Sequence, residues 1–392
     1  MKIAWIAFMA VIFLIALSSG FQEGTKQEQQ IFVPAAHAEG IAGQKVLPFI
    51  YKAQEELAPK KLHSLNSLLL YVLTPDYQLM FVGARKFAYG VRSYTQGCSI
   101  ERGNGSGVNK NYIVTCSGRV LPVLASKQHV RDKEKGWRLV VYTPFSEFLL
   151  RDEIIEAGKQ YVLQTFDNAF QFIADQQIHS KSYPELLISE INPALYKEQA
   201  VKILVNEHTD FWEQEEKGER YTTDKVFALF GANRDVTYTQ SVSKAGACCA
   251  AQFIKSTFQS KVLGQYPEAG LGTNFRKTMR DPQQWPVAML LLFDYEMDDI
   301  MKEFAFLKEE FITFPRKFEI LFPIFYNGGS SRAKDLLRAL DVGKNFKGDF
   351  PLTDERRGDK RFFIPPVSDI MRSLLMEETW GFLIKHMYIN TK

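Results

Sequence analysis

Ser243-Lys244-Ala245-Gly246-Ala247-Cys248-Cys249-Ala250-Ala251-Gln252-Phe253, with Ser256-Thr257 close behind, is the stretch on which the reading of this chain turns. Taken alone it fits a loop that leads into a helix. Gly246 lets the backbone approach another group closely, and Ser243 and Gln252 bring hydrogen-bonding groups to either side of it. Two further stretches follow in order: Phe325-Tyr326-Asn327-Gly328-Gly329, and Glu378-Thr379-Trp380-Gly381-Phe382-Leu383-Ile384-Lys385. Each also has a plain structural reading. Asn-Gly is a strong turn signal that stops a helix, and Glu378-Thr379 fits a solvated helix face.

In that order the three stretches resemble the lytic transglycosylases related to soluble lytic transglycosylase and goose-type lysozyme. That family shows a catalytic Glu, then S-x-x-G-A-x-G-x-x-Q, then A-Y-N-x-G, then E-T followed by an aromatic residue. The resemblance covers the C-terminal part of the chain, from about Thr222 onward. It implies an all-α lysozyme-like domain that holds glycan strands of peptidoglycan and cuts them between MurNAc and GlcNAc. Such a cut needs an acid to protonate the leaving oxygen and an environment that supports an oxocarbenium-like centre. The acid must still carry its proton near neutral pH, which a partly apolar cleft favours. In the family this acid is a Glu at the end of a helix. The sugar's own C6 hydroxyl attacks and leaves a 1,6-anhydro product. By the resemblance Ser243, Gly246, Ala247, Gln252, Tyr326, Asn327 and Glu378 would line or support the substrate site.

The acid itself is not evident. Asp235, close before Ser243, stands nearest the family's spacing, yet it is shorter than Glu by a methylene. A catalytic group misplaced by about 1 Å can cost on the order of a hundredfold in rate. Its neighbour Arg234 favours the charged form, which does not help an acid. Glu207 lies farther upstream in a helical stretch, as the longer spacing of goose-type relatives allows, and Glu219 lies in a charged run. The sequence also departs from the family in placing Cys249 where a glycine is expected and Phe325 where an alanine is expected. These departures keep a second reading open, in which a lysozyme-like domain without its acid binds cell wall or serves as a structural part of the envelope.

Working outward, the chain's 392 residues suggest two or three domains. The expected fold class is α+β: an all-α lysozyme-like domain at 221–392, preceded by a small β-rich accessory domain at 46–150 and a helical connector at 151–220. The strand expectation rests on Leu68–Leu73, Gln78–Val82, Tyr112–Val114 and Trp137–Tyr142, short β-type runs separated by Gly, Pro, Asp and Asn. The spacing predicts helices over 46–65, Asp152–Ala174 and Pro193–Val205, and a helix start near Thr222-Thr223-Asp224. Pro286–Phe304 carries the dense apolar run Val287–Phe293, too short to span a membrane and suited to a buried central helix. The charge run Glu213–Arg220 fits a solvated helix end or loop.

Met1-Lys2 followed by the apolar run Ile3–Leu17 and then Ser18-Ser19-Gly20 has the form of a signal peptide or a membrane anchor over residues 1–20, with a polar linker over 21–45. Export is therefore expected, to the periplasm, the cell envelope or a membrane-anchored position. Cys98 and Cys116 flank two strand-like runs joined by Gly103-Asn104-Gly105-Ser106-Gly107, and an exported protein can bridge them, a bond worth about 3 kcal/mol, or leave them as thiols. Neighbouring cysteines rarely bridge each other, so Cys248 and Cys249 are expected to be small buried side chains or to pair elsewhere.

The net charge of +3, with 24% charged residues, shows no basic stripe of the kind a nucleic-acid binder carries. His63, His129, His179, His208 and His386 lie far apart, with no H-E-x-x-H or paired Cys/His spacing, so no metal site is expected. No phosphate-binding glycine loop and no G-x-S-x-G is present, and no cofactor is implied. The expected partner is peptidoglycan, with a membrane tether through the N-terminus and an envelope protein on the β-rich domain as further candidates.

Overall fold

The computed structural model describes residues 45–339, apart from 104, 106 and 133–135, together with Thr379, Phe382, Leu383, Lys385, His386 and Ile389. The expected signal or anchor at 1–20, nearly all of the linker and Glu378 lie outside the described residues. The fold is α+β, with helices and antiparallel sheets.

The chain enters through helix α1 (Leu47–Leu57), opened by a proline in its first turn and followed by Pro59, which cannot continue it. The predicted helix over 46–65 thus ends early. Strands β1 (Ser67–Leu73), β2 (Leu79–Lys86), β3 (Val91–Ser93), β4 (Cys98–Arg102), β5 (Tyr112–Cys116), β6 (Arg119–Leu121), β7 (Val123–Asp132) and β8 (Gly136–Tyr142) follow. They form a five-stranded antiparallel sheet in the order β3-β2-β1-β7-β8 and a three-stranded antiparallel sheet in the order β4-β5-β6. From Leu68 onward β1 carries only apolar and aromatic residues, which suits its central place in the sheet between β2 and β7. Leu68, Leu70 and Val72 share a core with Ile100, Tyr112 and Val114 of the smaller sheet, while α1 packs on β7 and β1. Cys98 and Cys116 face each other in register and are bonded, S–S 2.03 Å.

Lys127, on β7, is almost fully buried and donates to the carbonyls of Ala58 (2.5 Å) and Lys60 (2.6 Å) just past α1. A cation at a helix C-terminus is favoured by the helix dipole. Across from it, Tyr51 donates to the Gly231 carbonyl (2.7 Å), and the Asn233 side chain exchanges hydrogen bonds with the backbone of Thr143 (2.7 and 3.0 Å). Val140 and Tyr142 of β8 belong to the same buried cluster as the helices that follow, and the described residues form one compact unit.

Those helices are α2 (Asp152–Asp175), α3 (Pro193–Glu207), α4 (Phe211–Lys217), α5 (Glu219–Asn233), α6 (Trp285–Glu303), α7 (Leu321–Gly328) and α8 (Ser330–Ala339), with shorter helical turns between them. α2 and α5 touch through glycine: a Cβ on Gly158 would meet the Phe227 carbonyl at 1.8 Å, and one on Gly231 would meet that of Ile154 at 2.0 Å. α6 is buried on nearly every side, as its apolar run predicts. The helix expected to start near Thr222 begins at Glu219. Gly218, at φ +86°, turns the chain between α4 and α5, so the charge run lies mostly on helix, with Glu213 paired to Lys225 at 2.6 Å. The expectation of almost continuous helix beyond Thr222 fails over 237–254, where only isolated bridges form. Positive φ at Tyr238, Gly246, Cys249 and Gln252 cannot be accommodated in a right-handed helix. Among the described residues no helix is long and apolar enough to cross a membrane.

Candidate active site

Glu207 is the last residue of α3 and is half-buried. The three sequence stretches meet around this helix end. From the second comes Tyr326, late in α7, whose hydroxyl donates to the Ala251 carbonyl of the first. Its ring meets Phe253 and Phe293 edge-on at 6.0 and 6.1 Å. Burial, and after it the charge of Glu207, raise the Tyr326 hydroxyl well above the usual tyrosine value. The tyrosine therefore stays neutral, a hydrogen-bonding group within the field of the carboxylate.

The third stretch closes the arrangement. Thr379 donates to the Asn327 side-chain oxygen (2.8 Å), tying it to the second stretch. Lys385 caps α3 by donating to the carbonyls of Asn206 (3.0 Å) and Thr209 (3.1 Å), and the Asn206 amide donates to the Phe382 carbonyl (2.7 Å). Burial lowers the Lys385 pKa, and the charges of Glu207 and Asp210 work against that shift. His208, directly after Glu207, stacks flat on Tyr238 with ring centroids 3.5 Å apart, and its Nε2 lies 2.7 Å from the Ala250 carbonyl. Burial lowers its pKa to about 4, beyond what the Ala250 contact restores, so the ring is neutral at neutral pH and Nε2 is the donor.

The first stretch is a tight loop. Ser243 and Ala247 exchange backbone and side-chain hydrogen bonds (2.9 and 3.0 Å), closing the turn at Gly246, φ +88°. Ser243 Oγ thus holds the loop itself. The Gln252 amide donates to the Cys249 carbonyl (2.6 Å). Cys249 sits at φ +71°, the left-handed conformation that glycine adopts freely, so the backbone keeps the glycine-like geometry although the residue differs. Cys248 and Cys249 are both fully buried and are bonded to each other. This corrects the expectation that neighbours would not pair: the turn brings the two sulfurs together.

Asp235 is placed differently. It is exposed, in a short turn after α5, and accepts a 2.6 Å hydrogen bond from Tyr161 of α2. Tyr161 belongs to none of the three stretches. Arg234 beside it donates to the Tyr51 hydroxyl (2.9 Å) and lies 4.0 Å over that ring. The structure therefore brings Glu207 and Tyr326 together with the Ala250–Ala251 backbone, with Gln252 and Asn327 next to these along the chain. It keeps Ser243, Gly246 and Ala247 in the loop they close, and sets Asp235 among the residues that join α2, α5 and α1. His208, Tyr238, Thr379 and Lys385 were not singled out by sequence. Thr379 and Lys385 lay within a quoted stretch, but the His208–Tyr238 stack has no signal in the primary structure. Among the described residues no group of three or more His, Cys, Asp and Glu is arranged to hold a metal. Compared with known proteins, the chain matches no family model, no curated protein and no solved structure.

Proposed function

We propose that this protein cleaves peptidoglycan glycan strands in the manner of a lytic transglycosylase, with Glu207 as the acid. One observation carries the reading: a glutamate at the C-terminal end of a helix, close enough for its charge to reach Tyr326, at the point where the three stretches converge. The resemblance calls for a helix-end glutamate, and Glu207 fills that place better than Asp235. In this reaction the Glu207 carboxyl protonates the departing glycosidic oxygen as the bond to C1 breaks. The C6 hydroxyl of the same sugar attacks C1 and returns its proton to the carboxylate, so no water is consumed. Tyr326, its proton given to the Ala251 carbonyl in a hydrogen bond, offers its oxygen as acceptor to the protonated carboxyl group or a sugar hydroxyl. Asn327 is held in place by Thr379, and the Gly246 turn brings backbone against the glycan.

A second reading is favoured by one specific feature. The Lys385 ammonium shares the field of Glu207, and a nearby cation favours a carboxylate over the protonated acid. On this reading the domain binds glycan and does not cut it. The test is digestion of purified peptidoglycan by the full chain, with soluble products identified by mass, beside Glu207→Gln and Asp235→Asn. Anhydro-muropeptides that vanish with Glu207→Gln alone are expected. Their loss with Asp235→Asn alone would move the acid to Asp235. Products that carry added water would mean a muramidase. No products, with the protein still sedimenting with the wall, would mean the binding module.

A further inference from the structure

The β-region has a feature that glycan cleavage does not use. In the antiparallel sheet the end of β2, the start of β3, the end of β7 and the start of β8 lie at one edge. There a cleft of about 240 Å³ opens between the two sheets, lined by Lys86, Arg102, Lys110, Arg131, Tyr112 and Gln128 among others. Among the described residues no carboxylate lines it. Four cations around one cleft repel each other unless an anion sits among them.

The buried amide is the second observation. Gln128 is 3% exposed, and its Oε1 accepts from Tyr112 (2.9 Å) and from Lys86 (3.3 Å). Lys86 can only donate, so the oxygen must be the atom facing it, and the amide orientation is settled. That leaves Gln128 Nε2 as a buried donor with no partner in the protein. An unmet buried donor costs free energy until an acceptor arrives. Burial, and behind it the charge of Arg102, lower the Lys86 pKa, as expected for an ammonium group lacking its counter-ion.

The geometry points to this cleft as a binding site for a phosphate group. A single carboxylate would leave most of the positive charge uncompensated. A phosphate offers more charge and several acceptor oxygens for lysines, arginines and an amide N–H. Exposed aromatic side chains stand at the same edge: Phe87 and Tyr89 at the β2–β3 tip, whose backbone carbonyls at Phe87 and Ala88 receive Arg102, and Trp137, opposite Arg131 in register. Aromatic rings beside basic residues suit the boundary of a membrane, so a lipid headgroup is one source of the phosphate and free phosphate the other.

The test uses the full chain and two probes: inorganic phosphate, followed by calorimetry at low salt, and vesicles of phosphatidylglycerol in phosphatidylcholine against phosphatidylcholine alone. Saturable binding is expected that weakens about fivefold for each cation removed in Lys110→Gln and Arg131→Gln, and about as much again in Lys86→Gln. Because Lys86 also holds Gln128 and the His129 carbonyl, the two other variants, with unchanged melting temperatures, carry the result if Lys86→Gln unfolds. Charge-dependent capture on phosphatidylglycerol with little affinity for inorganic phosphate would assign the site to headgroups. Binding of inorganic phosphate without vesicle capture would assign it to free phosphate. Absence of both, or binding equal in parent and variants, would overturn the proposal.

Discussion

Helices α3 and α5 are both 15 residues long, and each brings a carboxylate to its C-terminal end: Glu207 closes α3, and Asp235 follows α5. Their surroundings differ in kind. The end of α3 is enclosed by a neutral histidine stacked on Tyr238, by Tyr326 with its aromatic neighbours, and by Lys385 on the last carbonyls. The end of α5 faces solvent at Asp235, and its buried part, Asn233, is engaged with the Thr143 backbone. One helix end is built as an enclosure, the other as a joint between the sheets and the helices. An acid that must hold its proton needs the enclosure. Nearness along the chain says nothing about it.

The sharpest way to break this contrast is the pair of isosteric substitutions. Glu207→Gln is expected to lower the rate of anhydro-product release by roughly a hundredfold to ten-thousandfold, the usual worth of a general acid. Asp235→Asn should leave it unchanged. Equal losses in both would dissolve the distinction.

Next in size is the joint. Gly158→Ala puts a methyl group within 1.8 Å of the Phe227 carbonyl. Because backbone and not a flexible side chain stands in the way, α2 and α5 must move apart, at a cost of about 3 kcal/mol. Urea denaturation would measure it, and a midpoint equal to the parent's would show that the two helices are not in register as described.

The enclosure should also register protons. Burial holds the folded-state pKa of His208 at about 4, below its ordinary 6.5. Between those values the unfolded chain binds the proton and the folded one does not. Its contribution is therefore complete above pH 6.5 and declines toward pH 4, by up to about 3 kcal/mol. Unfolding free energy should fall less between neutral and mildly acidic pH for His208→Gln than for the parent, and equal falls would place the titration elsewhere.

The smallest effect concerns the loop. Cys249→Gly and Cys249→Ala both remove the bond to Cys248, but only alanine keeps a side chain at φ +71°. The glycine variant is expected to be the more stable by about 1 kcal/mol. The reverse order, read from melting curves, would mean that the left-handed turn is not retained.

Much of the β-region was legible. The apolar runs at Leu68–Leu73 and Trp137–Tyr142 became β1 and β8, and the cysteines flanking the glycine-rich turn fall opposite each other on β4 and β5. β7 was not foreseen, because Ser126, Lys127 and Gln128 interrupt any apolar pattern. Ser126 and Lys127 are buried in the strand because the Tyr142 carbonyl and the carbonyls past α1 satisfy them, and the Gln128 side-chain oxygen is met by Tyr112 while its nitrogen is left without a partner in the protein. Polar residues of that kind look solvent-facing until their partners are in place. The site divides in the same way. Tyr326 and Asn327 stood out by pattern, whereas His208 and Tyr238 matter through a stack that joins separate segments.

The linear order of residues by itself determined the central apolar helix, the three stretches and their succession, and the helix expected over Pro193–Val205, which the structure carries on to Glu207, since local periodicity and turn chemistry act over a few residues. Which carboxylate stands among those stretches, that two adjacent cysteines join each other, and that four cations and an orphan amide share one cleft were decided only by the tertiary structure. Enclosure and charge depend on which distant segments pack together, and that is a property of the folded chain's packing rather than of any local run of residues.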